Sequence, residues 1–245
     1  MEQGRGRYFF VADVHLGAAF NTERREALFV DFLRNLPEDT EGLYLLGDIF
    51  DFWVEYRDMV PRGFIRVFGA LAALADRGVK IVFYPGNHDW WTVDYFEKEL
   101  GARVVKAPYG IEEVGGLTIC MGHGDGVGPR KTAQRLLYRL LRNRTCITLL
   151  KLLHPRMVMW FARRWSLHSR RKGGATPEVE RLPLYKFAAG YADKGGRRID
   201  AFIFGHAHYP ARVEMPDGAL LCVPGEWSSE ASYLNLFGMY IEGRG

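Results

Sequence analysis

Five short blocks each close an apolar run with residues of metal-binding type: Asp13-Val14-His15, Gly47-Asp48, Gly86-Asn87-His88-Asp89, Gly122-His123-Gly124-Asp125 and Gly205-His206-Ala207-His208. They lie far apart but share one grammar, a buried strand followed at once by Asp, Asn or His. That grammar requires a fold in which several strands end side by side, because a strand end is rigid and the loop after it turns away to leave a crevice. Glycine at Gly47, Gly86, Gly122 and Gly205 lets the backbone turn sharply there. Singly, the blocks have ordinary explanations: Asp-x-His or Gly-Asp can cap a helix or turn, and His-Ala-His can be two imidazoles on one face of an extended stretch. Together they hold five of the seven histidines. The donors are carboxylate, imidazole and one carboxamide, without thiolate. That set points to two divalent cations, Mn first, with Zn or Fe as alternatives. One bridging carboxylate can hold such a pair about 3.5–4 Å apart and clamp both oxygens of an in-line displacement at phosphorus.

The chain between the blocks alternates strand and helix patterns, which in 245 residues predicts one large α/β domain with an inserted segment. Strands are expected at 8–11, 43–46, 79–84, 103–105, 110–114, 117–121, 199–204, 212–214 and 219–223, and one closing strand runs from Tyr233 to Ile241. Helical spacing runs from Glu23 to Asn35, with Leu28, Phe29, Phe32, Leu33 and Leu36 on one side. Further helices are expected from Pro61 to Gly78, from Val93 to Leu100 and from Leu182 to Ala192. Arg170 to Thr176 is the only linker-like stretch. Cys120, Cys146 and Cys222 have no paired spacing and read as reduced thiols of a cytosolic protein. Met1 to Arg7 is short and polar, so no secretory leader is expected. No apolar stretch reaches the roughly 20 residues needed to cross a bilayer.

Taken in order, the blocks resemble the signature of the calcineurin-like metallophosphoesterase superfamily over nearly the whole chain. The resemblance implies a four-layer α/β/β/α sandwich. It also implies that Asp13, His15, Asp48 and His208 hold one cation, while Asp48, Asn87, His123 and His206 hold the other, with Asp48 bridging. Water or hydroxide between the cations would attack phosphorus directly. His88 would face the substrate, stabilising developing charge or donating a proton. Asp89 is expected to orient His88, and Asp125 to stand behind a metal ligand. Ligating imidazoles must be neutral, so metal affinity should fall in acid.

The net charge of +4 conceals an asymmetry. Residues 126–177 contain no Asp or Glu but 13 of the 33 Lys and Arg, leaving 20 basic against 29 acidic residues elsewhere, a balance of −9. This acid-free segment is expected to be a helical cap inserted into a sandwich made of residues 1–125 and 178–245. Leu136, Leu137, Leu140 and Leu141 share one helix face, and Arg135, Arg139 and Arg142 another. Three readings fit such a segment. It could pack its own core with solvated arginines, bind nucleic acid, or hold acyl chains while resting on an anionic membrane. Dense Leu, Met and Trp do not resemble a groove that tracks phosphates, so nucleic acid is not expected as a partner. No obligate protein partner is evident.

The run Leu46-Gly47-Asp48-Ile49-Phe50-Asp51-Phe52-Trp53, the placement of the insertion, and Gly225-Glu226-Trp227 resemble a narrower group, the UDP-2,3-diacylglucosamine diphosphatases of lipid A biosynthesis. That resemblance implies a lipid-linked UDP-sugar substrate, cleaved at the phosphate nearest uridine into UMP and 2,3-diacylglucosamine 1-phosphate. It implies an enzyme in the cytoplasm, peripheral on the cytoplasmic face of the inner membrane. The best-known members of the group carry Gly-Asn-Arg-Asp where this chain has Gly86-Asn87-His88-Asp89, and histidine there is the general superfamily pattern. Histidine cannot present the bidentate fork of arginine to a diphosphate. Arg163, Arg164, Arg170, Arg171 and Lys172 are candidates to compensate. By the resemblance, Arg164, Ser166, Ser169 and Arg170 join His88 as substrate-binding residues. Two alternatives remain, a soluble phosphodiesterase or nucleotidase with a different substrate and a metal-free scaffold; the full set of ligand positions speaks against the scaffold.

Overall fold

The computed structural model describes residues 6–56, 59–129, 132–158, 160, 161, 164, 178–192, 197–228, 230–238 and 240–244. Eleven strands among them form two sheets: β1 (Arg7–Val11), β2 (Thr40–Leu45), β3 (Lys80–Phe83), β4 (Arg103–Val104), β5 (Gly110–Val114), β6 (Leu117–Gly122), β7 (Ala201–Phe204), β8 (Ala211–Glu214), β9 (Leu220–Val223), β10 (Tyr233–Phe237) and β11 (Tyr240–Arg244). The first sheet has the order β11-β10-β1-β2-β3-β4 and the second β5-β6-β7-β9-β8. β1 to β4 run parallel, as do β6, β7 and β9.

Side chains alternate across the first sheet with period two, and each face has its own core. Phe9, Val11, Leu43, Leu45, Ile81 and Phe83 pack under helices α1 (Thr22–Arg34), α2 (Ile65–Asp76) and α3 (Tyr95–Leu100). Their neighbours Phe10, Tyr44 and Val82 point the other way and meet Ile119, Met121 and Ile203 of the second sheet. On that sheet's outer face, Cys120, Phe202, Phe204 and Leu221 pack against Leu184 and Ala188 of a later helix, α6 (Pro183–Ala192). Three successive cores therefore separate four layers, α/β/β/α. The segment after β6 forms α4 (Thr132–Arg142) and α5 (Arg144–Leu152), with more helix at 155–158. Its apolar contact with the sandwich includes a small core of Val54, Trp91 and Val158, joined by Leu141, Ile147 and Leu150. Among the described residues, no helix is long and apolar enough to cross a membrane.

Three local expectations are corrected. Pro61 does not start α2: Gly63 and Phe64 take left-handed φ values of 106° and 59°, which seats the Phe64 ring on Phe50 at 5.2 Å, and helix begins only at Ile65. Residues 233–241 are not one strand. The chain reverses at Gly238, φ 60°, and β11 folds back on β10 with Phe237 opposite Tyr240, as left-handed glycine permits in a tight hairpin. The helix expected from Val93 begins at Tyr95, because the buried Glu55 carboxylate gathers the Val93, Asp94 and Tyr95 amides at 2.6, 2.8 and 2.9 Å and the Thr92 hydroxyl at 3.0 Å.

Glu55 thus serves as a cap delivered from a distant loop. Glu55→Ala should cost about 2–3 kcal/mol in urea unfolding, the scale of a lost cap plus buried donors left without an acceptor. A loss below about 0.5 kcal/mol would show that water replaces the carboxylate.

Candidate dinuclear metal centre

All five blocks follow strands that run parallel within their sheets: β1 leads to Asp13 and His15, β2 to Asp48, β3 to Asn87–Asp89, β6 to His123, and β7 to His206 and His208. The strand ends meet at one end of the two-sheet core. Bonds across the sheets lock them there: His206 N donates to Asp13 Oδ2 at 2.8 Å, and His123 Nδ1 lies 3.0 Å from the Leu46 carbonyl. Gly47 fits where any other residue would collide. Its φ is +83°, and a Cβ would lie 2.6 Å from Gly86 N and 2.7 Å from His123 Nδ1.

The side chains form three overlapping groups: Asp13, His15 and His208; His15, Asp48 and His88; and Asp48, His123 and His206. Within each group the donor atoms lie within 4.8 Å of one another. Asp48 belongs to two of them and sits between the others. Its Oδ2 is 3.3 Å from His123 Nε2 and 3.9 Å from His88 Nε2. Asp13 Oδ1 is 3.8 Å from His15 Nε2 and 3.7 Å from His208 Nε2. Asn87 Oδ1 is 3.3 Å from His123 Nε2.

These residues fit a pair of divalent cations on two observations. Asp13 Oδ1 and His15 Nε2 are buried with no hydrogen-bond partner among the described residues, and such atoms are expensive unless something coordinates them. Asp13, His15, Asp48, His206 and His208 also have left-handed φ values of 54°, 52°, 51°, 68° and 63°, five of the seven such non-glycine residues among those described. Backbone strain of this kind, about 1–3 kcal/mol each, gathers at functional sites. The field agrees. Burial opposes charge on Asp48, but His123 and His88 outweigh it and hold its pKa well below the carboxylate range. Burial likewise opposes charge on His123, and Asp48 overrides it, raising that pKa to about 10. Burial and the neighbouring charge of His123 push His206 down to about 4.

Several supporting residues differ from expectation. Asp89 does not orient His88. It is buried, with Oδ1 accepting from Gly86 N at 2.7 Å and Asp48 N at 3.2 Å, and Oδ2 from Ile49 N at 2.8 Å and Phe50 N at 3.3 Å. A carboxylate gathering amides of two loops positions Asp48. His88 is held instead by the Asp51 carbonyl, 2.6 Å from Nδ1. Asp125 binds Arg142 of α4 at 2.7 Å. Arg164 is exposed, its guanidinium 5.2 Å from the Trp160 ring, and it does not line the cleft at the centre. Ser166, Ser169 and Arg170 lie outside the described residues, as do Arg163, Arg171, Lys172 and the stretch 170–176.

Two contributors carry a role the blocks do not reveal. Glu226 Oε2 lies 3.0 Å from His208 Nδ1, and its Oε1 accepts from Arg25 Nη2 at 2.6 Å. Burial opposes charge on Glu226, but the His208 and Arg25 hydrogen bonds hold its pKa near 2. The signal was present: Arg25 stands four residues before Phe29 on the apolar stripe of α1 and is itself buried, an unusual place for a cation without a partner.

From Asn87, His88 and His206 a cleft of about 1060 Å³ extends into the insertion, where Leu140, Ile147, Leu150 and Phe161 line it. Its chemistry changes along its length, from the charged centre to an aliphatic channel.

Residues 6–210 match the family described as calcineurin-like phosphoesterase. A UDP-2,3-diacylglucosamine hydrolase of Porphyromonas gingivalis is 34% identical over 250 aligned residues, covering 94% of this chain and 93% of that protein. Proteins of the same name from Xanthomonas oryzae pv. oryzae and Azotobacter vinelandii are 30% and 29% identical, each over 93% of this chain and over 94% and 93% of their own lengths.

A carboxylate behind a ligating histidine fixes its tautomer and strengthens it as a donor. Glu226→Gln should therefore weaken one of the two cation equivalents roughly ten- to a hundredfold, seen by metal analysis after dialysis and by calorimetric titration. Unchanged affinity at both equivalents would assign the Arg25–Glu226 pair to packing alone.

Proposed function

Because this chain belongs to the calcineurin-like phosphoesterase family, we propose that it is a two-metal hydrolase that cleaves UDP-2,3-diacylglucosamine at the phosphate nearest uridine, giving UMP and 2,3-diacylglucosamine 1-phosphate. The cleft carries this reading: one continuous cavity joins the clustered donors to aliphatic side chains of the insertion. A soluble diester or nucleotide has no use for the apolar half, whereas a diacylated sugar nucleotide has both a diphosphate and chains to place. Relatives bearing that substrate's name align over nearly the full length.

Asp13, His15, Asp48 and His208 would hold one cation and Asp48, Asn87, His123 and His206 the other, Mn first, with Zn or Fe as alternatives. Such a pair polarises phosphoryl oxygens and makes water nucleophilic near neutral pH. The remaining work falls to the chain. Asp89 holds the Asp48 loop in its strained turn through the three amides of residues 48–50 and also accepts from Gly86 N. With Nδ1 turned to the Asp51 carbonyl, His88 has Nε2 to offer the substrate. The leaving group of a diphosphate is itself a phosphate, with a second pKa of about 6, so it departs without a strong acid. Because the Asp51 carbonyl only accepts, Nδ1 carries the hydrogen there, and it is His88 protonated on both ring nitrogens that would stabilise charge on the phosphoryl oxygens through Nε2.

In this reading residues 126–177 form the cap, and its outer surface rests on a membrane. Leu136, Leu152 and Trp160 are 68%, 77% and 55% exposed, and Arg135, Arg139, Arg144 and Arg156 of the same segment are exposed too. Exposed apolar and arginine side chains in one segment suit the interface of an anionic bilayer. The enzyme would thus work on the cytoplasmic face of the inner membrane.

Incubation of the Mn-loaded protein with UDP-2,3-diacylglucosamine should release UMP. Clear cleavage of soluble diesters without UMP release would leave the hydrolase and sink this substrate. Independently, the protein should sediment with phosphatidylglycerol-containing vesicles at low salt and release as ionic strength rises. Equal recovery with zwitterionic vesicles, or none with either, would remove the anionic membrane from the proposal.

A further inference from the structure

Arg142, the last residue of α4, has surroundings that its place in an exposed insertion does not require. Its guanidinium carbon lies 4.0 Å from the Trp90 ring centroid and 3.8 Å from that of Tyr138. Nη2 donates to Asp125 Oδ2 at 2.7 Å, and both side chains are only 10% exposed. Beside it, the Leu141 carbonyl accepts from Trp91 Nε1 at 2.9 Å. Trp90 and Trp91 directly follow Asn87-His88-Asp89, and Asp125 stands two residues beyond His123. The C-terminal end of α4 is therefore fastened to two loops that carry residues of the centre. Leu137, Leu140 and Leu141 of the same helix line the apolar part of the cleft. A chain filling that part presses on the helix that grips those loops.

We propose that Arg142 is a positioning residue that couples occupation of the insertion to the alignment of the His88 and His123 loops. The inference rests on the lipid-substrate reading above and adds a specificity device to it. Arginine is required chemically. A planar guanidinium can stack on aromatic faces while its edge holds a carboxylate, whereas a lysine ammonium is a point charge that cannot do both. Breaking a buried pair also strands Asp125 without its counter-charge.

The test uses the full-length, metal-loaded protein and Arg142→Lys and Arg142→Met, with UDP-2,3-diacylglucosamine and bis(p-nitrophenyl) phosphate, a diester without acyl chains. On the lipid substrate, kcat should fall roughly tenfold or more in both variants with KM within about threefold, and the loss on the small diester should be at least about five times smaller. Equal losses on both substrates would make Arg142 a structural prop of the centre. A rise in KM alone would make it a binding contact, and no loss would remove it from the reaction; each overturns the proposal. Absence of UMP release by the unmodified protein is a separate failure, of the substrate reading. The coupling is then judged by hydrogen exchange: amides of residues 87–91 and 123–127 should exchange roughly tenfold faster in Arg142→Met while β1 and β7 stay protected. Unchanged protection overturns it. Should Arg142→Met not fold, Asp125→Asn, which keeps the shape, is measured in its place with the same two outcomes.

Discussion

Asp48 is a carboxylate with 1% of its surface exposed, set in a left-handed turn and flanked by imidazoles. Each of these conditions is costly for an ionised side chain, and the surrounding architecture answers each in turn. Asp89 collects the amides of residues 48–50 and 86 and so holds the turn. Gly47 clears the space that a side chain would take from Gly86 and His123. His123 approaches from the second sheet, and its Nδ1 is turned to the Leu46 carbonyl, so that Nε2 faces Asp48. The two-sheet core is thereby tied to the centre, since Asp48 comes from one sheet and two of its neighbours, His123 and His206, from the other.

The rest of the site is arranged outward from that carboxylate. On one side Arg25, Glu226 and His208 form a chain from the buried stripe of α1 to a candidate ligand. On the other, Asp125 and the paired tryptophans 90 and 91 reach the insertion through Arg142 and Leu141. Candidate chemistry and candidate lipid recognition are neighbours because the loop after His123 leads straight into the insertion. A lipid-linked substrate would bridge the two ends of one cleft, with its polar part in the charged region and its chains among the aliphatic side chains of the insertion.

Much of this was legible in one dimension because two periodicities are local. The apolar strand runs and the metal-type residues that close them are local features and marked the candidate ligands, whereas the four layers were implied only by the resemblance of the blocks to the superfamily. The less legible parts depend on residues that meet only in space. Glu55 caps a helix that begins 40 residues later, and Phe64 delays α2 by packing on Phe50. Asp89 looked like a partner for its sequence neighbour His88 but instead holds the loop of Asp48, 41 residues away. Arg164 offered charge in the right segment, yet its side chain lies against Trp160, away from the cleft.

By itself the sequence determined which residue types stand at the strand ends, and hence that a carboxylate–imidazole centre could form and that an acid-free, apolar insertion follows one of its histidines. Strand periodicity and residue chemistry are properties of short segments, so no contact map is needed to read them. Only the tertiary structure decided that Asp89 holds the Asp48 turn, that Glu226 and Arg25 stand behind His208, and that one cavity runs from the centre into the insertion. Those are facts of distance between remote parts of the chain, set by how two sheets and their loops pack.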